Sequence, residues 1–176
     1  MKRNQKVREL TAMAVLAALY VALCYLFASV SYGPIQFRIA EILLILAIYN
    51  KKYCIPVILG TFIANGLMFG WVDMLVGTFA TVLALAVIIL AKNDAVKKII
   101  AAPAAAAING AVIGLMLFYL IPEDFGALWF IMLTVAVGEF AVVLAGVLAF
   151  AGLEKMNPKV INIIKNIGIE NRGEKV

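Results

Sequence analysis

The chain has 176 residues, 65% hydrophobic and 14% charged, with a formal net charge of +5 and a mean hydropathy of +1.06. No soluble domain of this size needs so much apolar surface, so the composition points to a single membrane domain and away from a soluble enzyme. The absence of histidine tells against a zinc site or histidine relay, and the basic residues lie in short loops, where they read as topology signals rather than a nucleic-acid face.

A bilayer crossing takes about 20 apolar residues, and the chain has room for six. The predicted fold is therefore all-α, a six-helix membrane bundle over residues 1–153 followed by a cytoplasmic tail over 154–176. Helix 1 is expected from Val7 to Val30, behind Lys2, Arg3, Lys6 and Arg8. It is too long for a cleaved signal peptide, and five more spans follow. Gly33-Pro34 breaks the chain, and Pro34 opens a short helix 2 that ends at Tyr49, before Asn50, Lys51 and Lys52. Helix 3 is expected over Cys54–Phe69, helix 4 over Met74–Ala91, helix 5 over Ile99–Leu120 and helix 6 over Phe125–Leu153. Cys24 and Cys54 fall inside apolar runs and read as small buried hydrophobes.

Of the 15 Lys and Arg residues, all but Arg38 lie in the N-terminus, the 50–53 turn, the 92–98 loop and the tail. These segments alternate as six crossings require, which places both termini in the cytoplasm. The tail mixes Ile161, Ile163, Ile164 and Ile167 with lysines. It reads either as an amphipathic helix on the inner leaflet or as a frayed end.

A charged side chain at the centre of a membrane helix costs roughly 2.5 to 3.5 kcal/mol on insertion scales, so each one needs a reason. Arg38 and Glu41 stand three apart in helix 2, on one face. They form either a local ion pair or a ligand contact. Asn65 in helix 3 and Asn109 in helix 5 are either interhelical hydrogen-bond partners or site residues. Asp73, just after Trp71, is either the N-cap of helix 4 or a site residue. Glu139 is a lone carboxylate at mid-depth of helix 6 beside Gly138, with no basic residue near it in sequence. It reads as a ligand contact or a proton carrier. The inner halves of these helices are almost wholly apolar, so a polar site would open outward and be sealed below.

Tyr32, Phe37, Phe69, Trp71, Phe125 and Trp129 gather at the same outer level, as an interfacial belt or as rings that stack on a flat solute. Ala14, Ala18 and Ala22 repeat every four residues on helix 1, and Ala102, Ala106, Gly110 and Gly114 do so on helix 5. Small residues at that spacing let helices approach closely. The chain has no phosphate-binding loop, no paired metal ligands and no nucleophile with a base, so no cofactor and no ATP hydrolysis are expected of it.

The run Tyr32-Gly33-Pro34-Ile35-Gln36-Phe37-Arg38-Ile39-Ala40-Glu41 resembles the QueT family. The likeness continues through Asn65, through Asp73 with Gly77-Thr78-Phe79-Ala80-Thr81, through Asn109 and through Gly138-Glu139. It covers about residues 8 to 153. QueT members are substrate-binding (S) components of energy-coupling factor (ECF) transporters. The resemblance implies a six-helix protein in the plasma membrane of a prokaryote that captures a micronutrient, here a queuosine precursor of the 7-deazaguanine type. Its partners would be a transmembrane coupling protein and two ATPases. The resemblance sets Ala14, Ala18 and Ala22 against the coupling protein, and it groups Gln36, Arg38, Glu41, Asn65, Trp71, Asp73, Asn109 and Glu139 as the substrate-binding set. The rival readings are an S component for another micronutrient, a structural membrane subunit without a solute, and a proton-coupled carrier in which Glu139 cycles its proton.

Overall fold

The computed structural model describes residues 2–28, 37–121 and 126–167. Among these residues the secondary structure is entirely helical. Helix α1 covers Lys2–Leu26. A 3₁₀ segment, Ile39–Ile45, runs directly into the four-residue helix α2, Leu46–Tyr49. A single 3₁₀ turn, Lys51–Tyr53, then leads into α3, Cys54–Met68. The chain continues with α4 over Trp71–Leu90, α5 over Asp94–Leu120, α6 over Leu128–Met156 and a short tail helix, α7, over Pro158–Asn166.

Four helices, α1, α4, α5 and α6, are long and apolar enough to cross a membrane. The two remaining expected spans are shorter. Helix α3 has 15 residues, and Ile39–Tyr49 has the tighter 3₁₀ winding over its first 7. A 3₁₀ turn rises about 2.0 Å per residue against about 1.5 Å in an α-helix, so this winding stretches the 39–49 segment to roughly 20 Å. The expected start of that span at Pro34, and the expected end of helix 1 at Val30, lie outside the described residues. Helices α1 and α5 begin a turn or more before their apolar stretches, at Lys2 and Asp94, so these helices extend beyond the hydrocarbon-sized core of each span.

Ion pairs and hydrogen bonds gather the charged segments at one end. There Lys52 Nζ pairs with Glu9 at 2.6 Å, and Lys98 Nζ meets Glu154 at 2.5 Å. Asparagines shape the turns at this end. Asn50 accepts from the Lys52 amide at 3.1 Å, Asn93 from the Val96 amide at 2.9 Å and Asn157 from the Val160 amide at 3.4 Å. Each holds an amide that the helix start would leave unpaired. At the opposite end, Gly70 links α3 to α4 with φ of +91°, a left-handed conformation that glycine adopts without strain.

Within the tail, Pro158–Asn166 is helical, and residues 168–176 lie outside the described residues. Pro158 opens α7 in its first turn, and Ile161 is buried. The helix docks on the 50–53 turn: Asn50 Nδ2 donates to the carbonyls of Lys165 and Ile167, each at 3.1 Å, and Tyr53 donates to the Ile164 carbonyl at 3.3 Å.

An extensive apolar core fills the charged end of the bundle. It takes in Tyr20, Cys24, residues 43–49, Tyr53, Val57, Ala84, Leu85, Ile88, Ala101, Ala105, Val143 and Ile161. A smaller cluster of Ala80, Ile113, Met116, Leu117, Ile131 and Val135 joins α4, α5 and α6 toward the other end. Buried polar residues lie between the two. Outside, large apolar side chains such as Leu10, Leu90 and Leu148 are exposed all round, as suits a protein whose solvent is lipid. Neither cysteine forms a disulfide among the described residues; Cys24 is buried as expected, whereas Cys54 is only partly buried.

Candidate functional site

The buried polar set is Arg38, Glu41, Thr61, Asn65, Thr81, Asn109 and Glu139. Glu41, Asn109 and Glu139 are each 0% exposed. The 3₁₀ segment brings Arg38 and Glu41 to its own N-terminal end, where α1, α3 and α6 pack against it. Gly146 permits the approach of α6, because a Cβ there would stand 2.8 Å from Ile42 Cγ1 and 3.2 Å from the Ile42 carbonyl oxygen.

Arg38 faces both Asn65 and Glu41. Its Nη2 donates to Asn65 Oδ1 at 3.2 Å and stands 3.9 Å from Glu41 Oε1. Asn65 in turn donates through Nδ2 to the backbone carbonyl of Asp73 at 3.1 Å, so it ties the 38–41 segment through α3 to the first turn of α4. A Cβ at Gly77 would collide with Asn65 Nδ2, which explains the glycine. Asn65 thus does act as interhelical hydrogen-bond glue, and it orients Arg38 in doing so.

Glu41 accepts two hydroxyl bonds on one oxygen. Tyr20 donates to Oε1 at 2.7 Å and Thr81 donates to the same atom at 3.3 Å. Glu41 Oε2, Asn109 Oδ1 and both oxygens of Glu139 are buried without a hydrogen-bond partner among the described residues. Asn109 spends its Nδ2 on the Ala105 carbonyl of its own helix at 3.1 Å, so it makes no bridge between helices there. Glu139 lies within electrostatic reach of Glu41 and Arg38. The arrangement is therefore rich in acceptors: four buried oxygens, on Glu41, Asn109 and Glu139, have no donor among the described residues.

The remaining candidates fare differently. Asp73 is half-buried and stands third in α4; the N-cap is Gly70, so the capping reading of Asp73 gives way. Trp71 is 71% exposed and Trp129 is 68% exposed, so neither belongs to the buried polar group. Gln36, Tyr32 and Phe125 lie outside the described residues. Tyr20 and Thr81 touch Glu41 without having been singled out as site residues. The available signal for Tyr20 was weak, a lone phenol two positions from Ala18 and from Ala22.

The two small-residue stripes also part company. On α5, Ala102, Ala106, Gly110 and Gly114 are buried, and a Cβ at Gly110 or Gly114 would clash with Met132 or Ala136 of α6. On α1, Ala14, Ala18 and Ala22 are exposed, on the face opposite Tyr20. The first stripe is internal packing, and the second faces outward. Among the described residues no cluster of side chains is suited to a metal ion.

The chain's similarities agree with a buried solute site. A queuosine precursor transporter QueT of Lactococcus lactis subsp. cremoris (strain MG1363) is 42% identical over 90 residues, covering 50% of this chain and 53% of that relative. The match thus spans about half the relative's length. No solved structure matches the chain. The sequence signature described as the QueT transporter matches residues 10–155, a stretch that contains every residue of the buried polar set. The chain is a membrane protein of the QueT transporter family.

Proposed function

We propose that this chain is the substrate-capture (S) component of an ECF-type importer and takes up a queuosine precursor built on 7-deazaguanine. One observation carries the reading: four acceptor oxygens, on Glu41, Asn109 and Glu139, are buried without donors among the described residues. An unpaired carboxylate out of water costs several kcal/mol, and a bound molecule rich in N–H groups offsets that cost. The relative's name, a queuosine precursor transporter, supplies the substrate class.

The chemistry fits donor by donor. A 7-deazaguanine presents N1–H and a 2-amino group side by side, and a carboxylate accepts both at once. Glu139, with two open oxygens, takes that edge. Glu41 Oε2 and Asn109 Oδ1 take further donors, and the carboxylates suit an aminomethyl ammonium on the ligand. Arg38, steered by Asn65, donates to the ring carbonyl.

In this reading the chain crosses the plasma membrane six times with both termini in the cytoplasm, the 39–49 segment and α3 making the short crossings. The exposed Ala14, Ala18 and Ala22 face meets the transmembrane coupling protein, and two partner ATPases hydrolyse ATP. The test is calorimetry on detergent-purified protein with 7-aminomethyl-7-deazaguanine, alongside a panel of vitamins. Saturable binding of the deazaguanine is the expected result. Binding of a vitamin in its place would change the substrate, and the absence of any saturable ligand would overturn the importer reading.

A further inference from the structure

The carboxylate of Glu41 is crowded on one side and bare on the other. Oε1 receives the hydroxyls of Tyr20 at 2.7 Å and Thr81 at 3.3 Å, with Arg38 Nη2 standing 3.9 Å away, while Oε2 receives none. Two donors from two different helices on a single oxygen fix the rotation of the carboxylate. They thereby fix the direction of the lone pairs on the other oxygen.

Tyr20 is well placed to impose this. It is 1% exposed and fully enclosed between α1 and its neighbours. A Cβ at Gly60 of α3 would stand 2.6 Å from Tyr20 Cβ and 2.8 Å from Cγ, so the ring is clamped at a helix approach that only glycine allows. A phenol has just two side-chain torsions to fix, which makes it a rigid donor. Thr81 is the weaker of the two donors, since the Gly77 carbonyl of its own helix accepts its single hydroxyl hydrogen at the same 3.3 Å, which leaves Tyr20 as the principal hold on Oε1.

We infer that Tyr20 is a positioning residue for the ligand: it holds Glu41 Oε1 so that Oε2 is presented as an acceptor to the solute. The inference rests on the reading of this buried group as a solute site. Arg38 explains why holding is needed. At 3.9 Å its guanidinium is near enough to draw the carboxylate into a direct pair once the phenol no longer competes. A Glu41 turned toward Arg38 would withdraw its open oxygen from the ligand. The bland alternative is that Tyr20 merely satisfies its own buried hydroxyl and supports packing.

A double-mutant cycle separates these roles. The Kd for 7-aminomethyl-7-deazaguanine is measured by calorimetry for the unsubstituted protein, Tyr20→Phe, Glu41→Met and the combination. Losing the phenol's hold on Glu41 is expected to weaken binding about tenfold, the low end of what a hydrogen bond to a charged group contributes. That loss is expected in the Glu41 background and should shrink to less than about twofold with Met at 41. Equal losses in both backgrounds would mark Tyr20 as structural only and overturn the inference. Should Tyr20→Phe fail to fold, Thr81→Val removes the other donor from the same oxygen and is read in the same cycle, with the same non-additivity required. Unsubstituted protein that binds normally beside an equally tight Tyr20→Phe overturns this inference alone. Unsubstituted protein that binds nothing overturns it together with the importer reading.

Discussion

Glu41 and Glu139 are both wholly buried, and of their four carboxylate oxygens the described donors reach only Glu41 Oε1. Two acidic groups within electrostatic reach of each other, sharing one nearby arginine, make an unfavourable arrangement for an empty helix bundle. The energetic conflict is local, and it marks the place where a donor-bearing molecule would stabilise the protein most.

Glu139→Gln is the most direct probe of that conflict. It keeps the shape but replaces one acceptor oxygen with a donor and removes the charge. Binding of 7-aminomethyl-7-deazaguanine is expected to weaken by about 10- to 100-fold, the worth of a hydrogen bond to a charged group. The ligand-free protein should unfold at an equal or higher temperature, because a buried carboxylate without a partner has been removed. Calorimetry and thermal unfolding read the two effects; unchanged affinity would remove Glu139 from the site.

Two glycine substitutions should move stability in opposite directions. At Gly77 an added methyl collides with Asn65 Nδ2, whereas at Gly152 nothing stands within 4 Å. Gly77→Ala is expected to destabilise by about 1–3 kcal/mol through overpacking and to disturb the Asn65 link between Arg38 and α4. Gly152→Ala, within α6, should stabilise by about 0.5–1 kcal/mol through backbone entropy. Denaturation in detergent measures both, and a Gly77→Ala as stable as the parent would show that the approach of α3 to α4 is looser than described.

In the proposed importer, the exposed stripe on α1 is a partner surface set apart from the solute site. Ala18→Leu adds bulk to an outward face, on the side of α1 opposite Tyr20. Ligand affinity should stay within about twofold, while co-purification with the coupling protein and ATPases and uptake by cells should fall at least about tenfold. Intact uptake in the variant would shift the partner surface elsewhere.

At the charged end, Glu154 is the hub that holds the tail helix. It pairs with Lys98 at 2.5 Å and with Lys165 at 3.6 Å, and Tyr49 donates to it at 3.4 Å. Both lysines also lie over the Tyr49 ring, at 5.3 and 5.5 Å from its centre. These side chains are partly exposed, so solvent screening limits the pair energies to about 1 kcal/mol or less. Glu154→Gln is accordingly expected to leave ligand binding unchanged while making cleavage by trypsin at Lys159 and Lys165 several-fold faster. Equal cleavage rates would show that Asn50 and Tyr53 hold the helix without it.

Much of this protein is legible before any fold is known. The long apolar stretches and the setting of Arg38, Glu41, Asn65, Asn109 and Glu139 inside them all follow from composition along the chain. They do so because transfer into lipid is a local, additive cost. The rotation of each helix is another matter. In a bundle bathed in lipid both the inner and outer faces are apolar, so the 3.6-residue period that orients a helix in a soluble protein carries little signal. For that reason the α1 and α5 stripes looked alike, although one is exposed and the other packs on α6. Trp71 could not be told from a stacking residue, and Tyr20 passed unnoticed although its hydroxyl lies 2.7 Å from Glu41. Those distinctions depend on which helix lies beside which, and only packing between segments distant in sequence decides that.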